Sequence, residues 1–204
     1  MQCRHCGVPW EYDWEYCPEC NRNYGGAVYP ATQTDEELRD VAELIRRIRE
    51  AFAGVSRGEG ETIHQAHLEG IFGRDARWAA EGAKDPESDW TEVPDWKLEQ
   101  GASTLTFFDL EGWRFYLPAF LCWSLRNWRT AKTTTVASTI WTLTLRTDWP
   151  SDPLMTSERF ASLDLAQSEA VHDFLAFFDK YSGEPDGRDA RKAIRSYWHR
   201  FEKR

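Results

Sequence analysis

The sequence lacks a long apolar segment. Its longest unbroken apolar run, residues 115–123, has nine residues and contains Pro118. A membrane-spanning helix needs about 20 predominantly apolar residues, so we expect no transmembrane segment. The opening residues, MQCRHC, also lack the apolar stretch of a signal peptide. Both absences favour a cytoplasmic protein that does not associate with a membrane.

Motifs for common kinds of catalysis are scarce as well. There is no glycine-rich phosphate-binding loop and no H-E-x-x-H zinc-peptidase motif. Cys122 lies within the apolar run, so we interpret it as a buried thiol of low reactivity. This scarcity predicts that the protein is not an enzyme.

Negative charge dominates the chain, but unevenly. The net charge is −9, while residues 188–204 contain seven Lys or Arg and two acidic residues and so carry +5. The other 187 residues therefore carry −14. A surface this negative repels phosphate backbones. We therefore expect a basic partner protein, and the charge disfavours broad binding of nucleic acids.

Cysteine is rare, and four of the five cysteines form two C-x-x-C pairs near the N-terminus. Four thiolates at this spacing favour one structural Zn²⁺ in tetrahedral coordination, bound by Cys3, Cys6, Cys17 and Cys20. Both pairs must reach the same ion, so the chain between them reverses. Residues 10–16 (WEYDWEY) are then the tip of a hairpin and not one strand. A redox role for the pairs, or His5 in place of one sulfur, is less favoured.

The spacing C-x2-C-G-x9-C-P-x-C resembles the short zinc-ribbon modules of many bacterial proteins. Gly7 follows the first pair, and Pro18 lies inside the second, as in those modules. The likeness ends at Asn21, where glycine is usual. We therefore predict a zinc ribbon over residues 1–25, a linker over residues 26–33 and a second domain over residues 34–204.

Four large aromatic side chains near the ribbon tip, Trp10, Tyr12, Trp14 and Tyr16, require a packing partner. A module of this size has almost no interior beyond the metal. These rings either pack on the larger domain or form an exposed patch for another protein, since Trp and Tyr are enriched in binding hot spots. Glu11 and Asp13 alternate with them. We predict that Trp10, Tyr12 and Trp14 bind the basic partner.

The rest of the chain predicts an α+β fold, in which the zinc ribbon is followed by a mainly helical domain with a small antiparallel β-sheet. Residues 104–117 alternate around a turn and predict a β-hairpin, and residues 139–146 predict a third strand. Capping residues and apolar periodicity predict five helices: from Thr34, over Ile63–Phe72, from Pro118 to about Trp128, from Asp164 to about Tyr181, and from about Arg188.

Two positions on the predicted hairpin are candidates for a ligand site. Arg114 and Tyr116 would share the strand face opposite Trp113 and Phe115. Cross-strand pairing on a solvated face is the alternative. Elsewhere, the sequence H-Q-A-H at residues 64–67 places two imidazoles one helical turn apart, but no neighbouring pattern supplies a third metal ligand. We interpret these two as partly exposed helix histidines.

The larger domain also resembles an uncharacterised bacterial family. The likeness is strongest at residues 108–120, which fit F-D-x-x-G-x-R-F-Y-L-P-A-F, and extends over residues 36–201. The resemblance implies an α+β domain and no particular activity.

Together these features predict a non-catalytic, zinc-binding protein-interaction protein. We expect an immunity or antitoxin type that binds a basic partner protein. An alternative is a nucleic-acid-associated adaptor that uses the zinc ribbon and the C-terminal basic helix. A steep loss of nucleic-acid binding with salt would favour the adaptor. An enzyme of unknown class is the second alternative.

Overall fold

A computed structural model describes residues 33–145 and 153–202. In these two ranges the regular elements are all helical. The α-helices are α1 (Asp35–Ala51), α2 (Ile63–Phe72), α3 (Trp78–Gly82), α4 (Asp95–Gln100), α5 (Leu110–Asn127), α6 (Thr135–Thr142), α7 (Pro153–Ala161), α8 (Leu165–Tyr181) and α9 (Asp186–Ser196). Three short 3-10 turns cover Trp90–Glu92, Thr104–Thr106 and Trp198–Phe201. The predicted ribbon lies outside the described residues.

Helix α5 is the centre of the fold and contacts α1, α4, α6, α7 and α8. Between Gly112 and Leu125 every residue except Arg114 is buried. Helices α1 and α8 both contact α5 and also pack on each other, and α8 contacts α9. Because α5 is covered on all sides, its aromatic residues form one continuous core with the apolar faces of the surrounding helices.

The predicted β-hairpin at residues 104–117 is wrong. Residues 104–106 form a 3-10 turn, and α5 begins at Leu110. Asp109, predicted as a turn residue, is instead the N-cap of α5, and its carboxylate accepts a hydrogen bond of 2.8 Å from the Gly112 backbone N–H. The helix therefore begins eight residues before Pro118, which lies inside it.

The predicted strand at residues 139–146 is also wrong, as far as the described residues show. Residues 135–142 form α6, with Val136, Thr139 and Ile140 buried on one face. The threonine hydroxyls bond to carbonyl groups of the same helix: Thr139 Oγ1 donates to the Thr135 carbonyl at 2.7 Å, and Thr142 Oγ1 donates to the Thr139 carbonyl at 2.9 Å. Helix bonds thus satisfy hydroxyls that the alternating pattern assigned to a sheet. The expected α+β class is replaced by a mainly helical fold.

Local capping chemistry confirms several predicted helix starts. Thr34 forms a capping box with Glu37 at the start of α1, and Asp164 forms one with Gln167 at the start of α8. The predicted helix over Ile63–Phe72 is confirmed as α2. Cys122 is buried, and burial raises the pKa of its thiol to about 11. The predicted burial of Cys122 is therefore confirmed, and the raised pKa agrees with the low reactivity that we expect of it.

Two buried tryptophans join segments that are distant in sequence. Trp90 Nε1 donates to the Phe52 carbonyl at 3.0 Å, and Trp198 Nε1 donates to the Leu143 carbonyl at 2.7 Å.

Among the described helices, none is long and apolar enough to span a bilayer.

Candidate functional site

A cleft between α2 and α4 is lined by polar side chains from both helices. We call it the Trp96 cleft. It encloses about 50 Å³ and is lined, among the described residues, by Ile63, His64, His67, Trp96, Lys97, Gln100 and Gly101. Gly101 allows the close approach of the two elements, because a Cβ there would lie 2.9 Å from Ile63 Cδ1. The cleft therefore depends on the packing of α4 against the start of α2.

A buried charge network forms the inner wall of the Trp96 cleft. The fully buried carboxylate of Asp85 accepts hydrogen bonds from Lys97 Nζ at 2.8 Å and from the His64 backbone N–H at 3.0 Å. Its Oδ1 also lies 2.8 Å from His64 Nδ1. Lys97 Nζ further donates to Glu87 Oε1 at 2.6 Å and to the Lys84 carbonyl at 3.1 Å. The network fixes the His64 ring and ties α2 to α4.

The ionisation of this network follows from its hydrogen bonds. Burial raises the pKa of Asp85, but hydrogen bonds from Lys97 and His64 outweigh burial and hold that pKa below its usual range. Burial lowers the pKa of Lys97, but its bonds to Asp85 and Glu87 outweigh burial and raise that pKa overall. Asp85 and Lys97 are therefore both charged near neutral pH.

The outer wall of the cleft is an exposed tryptophan. The Trp96 side chain is 49% exposed. Its ring meets the His64 ring edge to face at 6.4 Å, and Lys97 Nζ lies 5.7 Å from its centroid. Three exposed carboxylates are close in sequence, at Glu92, Asp95 and Glu99. We call Trp96 and these three carboxylates the acidic Trp96 surface.

The surrounding segment is the most acidic part of the described chain. Residues 59–100 contain eleven Asp or Glu and four Lys or Arg, a net charge of −7. Within the acidic Trp96 surface one ion pair is formed, between Asp95 and Arg126 at 2.8 Å, and both side chains are largely exposed. The surface therefore presents an aromatic ring within a negative field.

Comparison with protein families gives one match. Residues 40–202 match a family of unknown function, DUF6714. The chain belongs to this family. Comparison with curated proteins and with solved structures gives no match. The expectation of an uncharacterised domain is thereby confirmed, and the match assigns no activity to the Trp96 cleft.

The structure separates the two residues predicted to share a ligand-binding strand face. Arg114 and Tyr116 are two positions apart in α5, about 200° around a helix. Tyr116 is fully buried, and its ring stacks on Phe108 at a centroid distance of 4.6 Å. Burial raises the pKa of its phenol, and the charge of Asp85 raises it further. Tyr116 is thus a core residue that feels the charge of Asp85. Ligand binding by Arg114 and Tyr116 stays a prediction, but the shared strand face on which it was based is replaced by α5.

The two α2 histidines occupy different environments. His64 is half-buried and bonded to Asp85, while His67 is exposed at the mouth of the same cleft. The interpretation as partly exposed helix residues missed the contact with Asp85, which lies 21 residues further along the chain.

Two sets of predicted N-terminal site residues lie outside the described residues. They are the zinc ligands Cys3, Cys6, Cys17 and Cys20 and the partner-binding residues Trp10, Tyr12 and Trp14.

The loop after α1 contains a sequence that matches a catalytic motif. Residues 54–58 (GVSRG) fit the pattern G-x-S-x-G of hydrolase nucleophile elbows. An elbow requires a strand before the serine, whereas Ser56 is exposed in the loop that follows α1. The sequence matches the motif, but the structure at Ser56 is not that of a nucleophile elbow.

The C-terminal basic helix is partly neutralised by its own neighbours. Arg191 pairs with Asp179 at 2.8 Å and with Glu184 at 2.6 Å, and Arg188 pairs with Asp189 at 3.3 Å. These ion pairs reduce the positive potential that a phosphate backbone would meet.

Proposed function

We propose that this chain is a non-catalytic protein-interaction protein that binds a basic partner protein. The observation that carries the proposal is Trp96, half exposed and within four residues of three exposed carboxylates in a segment of charge −7. An immunity or antitoxin type of protein fits this chemistry, since such a protein covers the surface of one specific partner.

The physical argument rests on the different roles of the ring and the charges. Tryptophan is the residue most enriched in binding hot spots, where it supplies buried area once the partner excludes water. Carboxylates at the rim contribute less to affinity, but they accelerate the encounter with a basic surface. Trp96 offers the first component, and the exposed carboxylates of Glu92, Asp95 and Glu99, all within four residues of it in the sequence, offer the second.

The composition of the Trp96 cleft supports binding over catalysis. A histidine oriented by a carboxylate, such as His64 beside Asp85, resembles part of a catalytic triad. The described residues that line the cleft include no serine, threonine or cysteine to act as a nucleophile. Lys97 is held by two carboxylates and a carbonyl oxygen, so its amine is charged and not nucleophilic.

The N-terminal ribbon belongs to the same proposal. One structural Zn²⁺ held by the four cysteines would fold the module and present Trp10, Tyr12 and Trp14 as a second contact with the partner. Glu11 and Asp13 between these aromatics have the same charge as the Trp96 rim.

Replacing Trp96 by Ala should lower partner capture at least tenfold, while thermal stability should fall no further than in a Trp→Ala variant of similar exposure. A hot-spot truncation costs about 2 kcal/mol or more of binding free energy, whereas the folding cost of truncation depends on the buried part of the ring. The measurement is a pull-down from native lysate with mass spectrometry, followed by titration of the captured protein. Trp141→Ala is the matched control, because Trp141 is 40% exposed on α6, a helix without charged residues.

A second variant separates the two proposed contacts. Substitution of Trp10, Tyr12 and Trp14 by Ala should weaken capture of the same protein and leave the melting temperature of the helical domain unchanged. The proposal would be wrong if the captured protein were acidic, or if neither the triple variant nor Trp96→Ala bound it more weakly than Trp141→Ala.

Elemental analysis of protein purified without added metal should show about one Zn per chain. Cys17→Ser should remove this zinc and unfold the ribbon, since metal binding supplies most of the folding free energy of such modules. The helical domain should keep its melting temperature, because its own buried residues form a continuous hydrophobic core. A folded ribbon without metal would contradict the prediction.

A further inference from the structure

Two imidazoles line the Trp96 cleft one turn apart on α2. His64 and His67 lie at positions i and i+3 of this helix, so their side chains project from the same side. Neutral imidazole is the commonest protein ligand for transition metals. The spacing alone is weak support, since many helices carry such pairs on their surface.

The decisive feature is the orientation of His64. Its Nδ1 lies 2.8 Å from the carboxylate of Asp85, whose side chain is fully buried. Metal-binding histidines almost always donate their other ring N–H to a carboxylate or carbonyl, which fixes the tautomer and the ring direction. Donation from Nδ1 leaves the Nε2 lone pair of His64 as the acceptor for a metal ion, and the His64 side chain lines the cleft.

We propose that the Trp96 cleft binds one divalent transition-metal ion, such as Zn²⁺ or Ni²⁺, through His64 and His67. No group of three or more His, Cys, Asp or Glu side chains is arranged around a common ion position in the part of the chain that the structure describes. Water and the side-chain oxygen of Gln100, which also lines the cleft, therefore complete the coordination. The site is distinct from the four N-terminal cysteines and does not depend on the proposed partner.

The electrostatics of the cleft favour a cation despite the presence of Lys97. The Lys97 amine lies between Asp85 and Glu87, so these three groups together carry a charge of −1. The surrounding segment, with its net charge of −7, raises the local concentration of cations. The apolar side chains of Ile63 and Trp96 form the rest of the wall and limit access of water.

Calorimetric titration of the full chain tests the site. The protein is first dialysed, and its metal content is measured, so that the N-terminal cysteines keep their own ion. Addition of ZnCl2, and separately of NiCl2, should then show binding of one further equivalent, whereas MgCl2 should show none, because Mg²⁺ prefers oxygen ligands.

Single substitutions identify the ligands. His67→Ala and His64→Ala should each weaken binding of the further ion at least tenfold. His67 is exposed, so the first variant should keep the parent melting temperature. His199→Ala is the matched control, since His199 is an exposed histidine on the C-terminal 3-10 turn. Absence of a further equivalent in the parent protein, or equal binding by His67→Ala and His199→Ala, would overturn the proposal.

Discussion

Replacing Asp85 by Ala should destabilise the folded protein by about 3–5 kcal/mol, the usual cost of removing one partner from a buried ion pair. The Asp85 side chain is fully buried, and that of Lys97 is 5% exposed. After the substitution Lys97 keeps only Glu87 and a carbonyl oxygen as partners, and the His64 backbone N–H loses its acceptor. Unfolding in urea, followed by circular dichroism, measures the loss.

An exposed ion pair provides the matched control. Asp95 pairs with Arg126 at 2.8 Å, but their side chains are 58% and 40% exposed. Asp95→Ala should therefore cost about 0.5 kcal/mol or less. If Asp85→Ala cost no more than Asp95→Ala, the network would contribute nothing to the packing of α4 on α2.

The pH dependence gives an independent check on the same residue. The folded-state pKa of Asp85 is lowered, so the folded state binds its proton more weakly than the unfolded state does. Its stabilising contribution is therefore complete above the ordinary pKa of 3.8 and disappears as the pH falls through the lower folded-state value. The stability difference between the parent protein and Asp85→Ala should be constant from pH 5 to pH 7 and should decrease below about pH 4. A difference that grew on acidification would contradict this assignment.

Local chemistry made part of this fold predictable from sequence. A helix start depends on a few adjacent residues, so Thr34 with Glu37 and Asp164 with Gln167 could be recognised without the rest of the structure. The same holds for the single apolar face of α1, where Val41, Leu44 and Ile48 are buried. Amphipathic helices at the periphery of a domain show their periodicity because one side meets water.

The central helix could not be predicted in this way. A helix surrounded by protein has no polar face, and its sequence loses the 3.6-residue period. In α5 the residues Trp113, Phe115 and Leu117 alternate with Arg114 and Tyr116, which matches the two-residue period of a strand. Tyr116 is nevertheless as deeply buried as its neighbours. Pro118 strengthened the error, because proline is usual in the first turn of a helix and unfavourable in its interior.

The candidate site could not be predicted from the sequence, and the reason differs from that for α5. Asp85 lies in a loop, 21 residues from His64 and 12 residues from Lys97. No sequence spacing links a loop carboxylate with two separate helices. The histidine pair on α2 was visible in the sequence, but its buried acceptor was not. Only the tertiary structure shows that Asp85 orients the His64 imidazole.

Replacing Tyr116 by Ala distinguishes the helical centre from the predicted hairpin, and we expect a loss of about 3–5 kcal/mol, typical of a buried aromatic residue. The Tyr116 ring is fully buried, stacks on Phe108 at 4.6 Å and meets Phe115 edge to face at 4.9 Å. On the solvated face of a hairpin the same substitution would remove one cross-strand contact, worth about 0.2–1 kcal/mol. Tyr116→Phe keeps both ring contacts and should lose much less stability than Tyr116→Ala. Arg114→Ala removes the one side chain of this region that is not buried, so its effect should also be small. Urea unfolding of the three variants decides the matter, because a loss below about 1 kcal/mol for Tyr116→Ala is compatible with the hairpin and incompatible with α5.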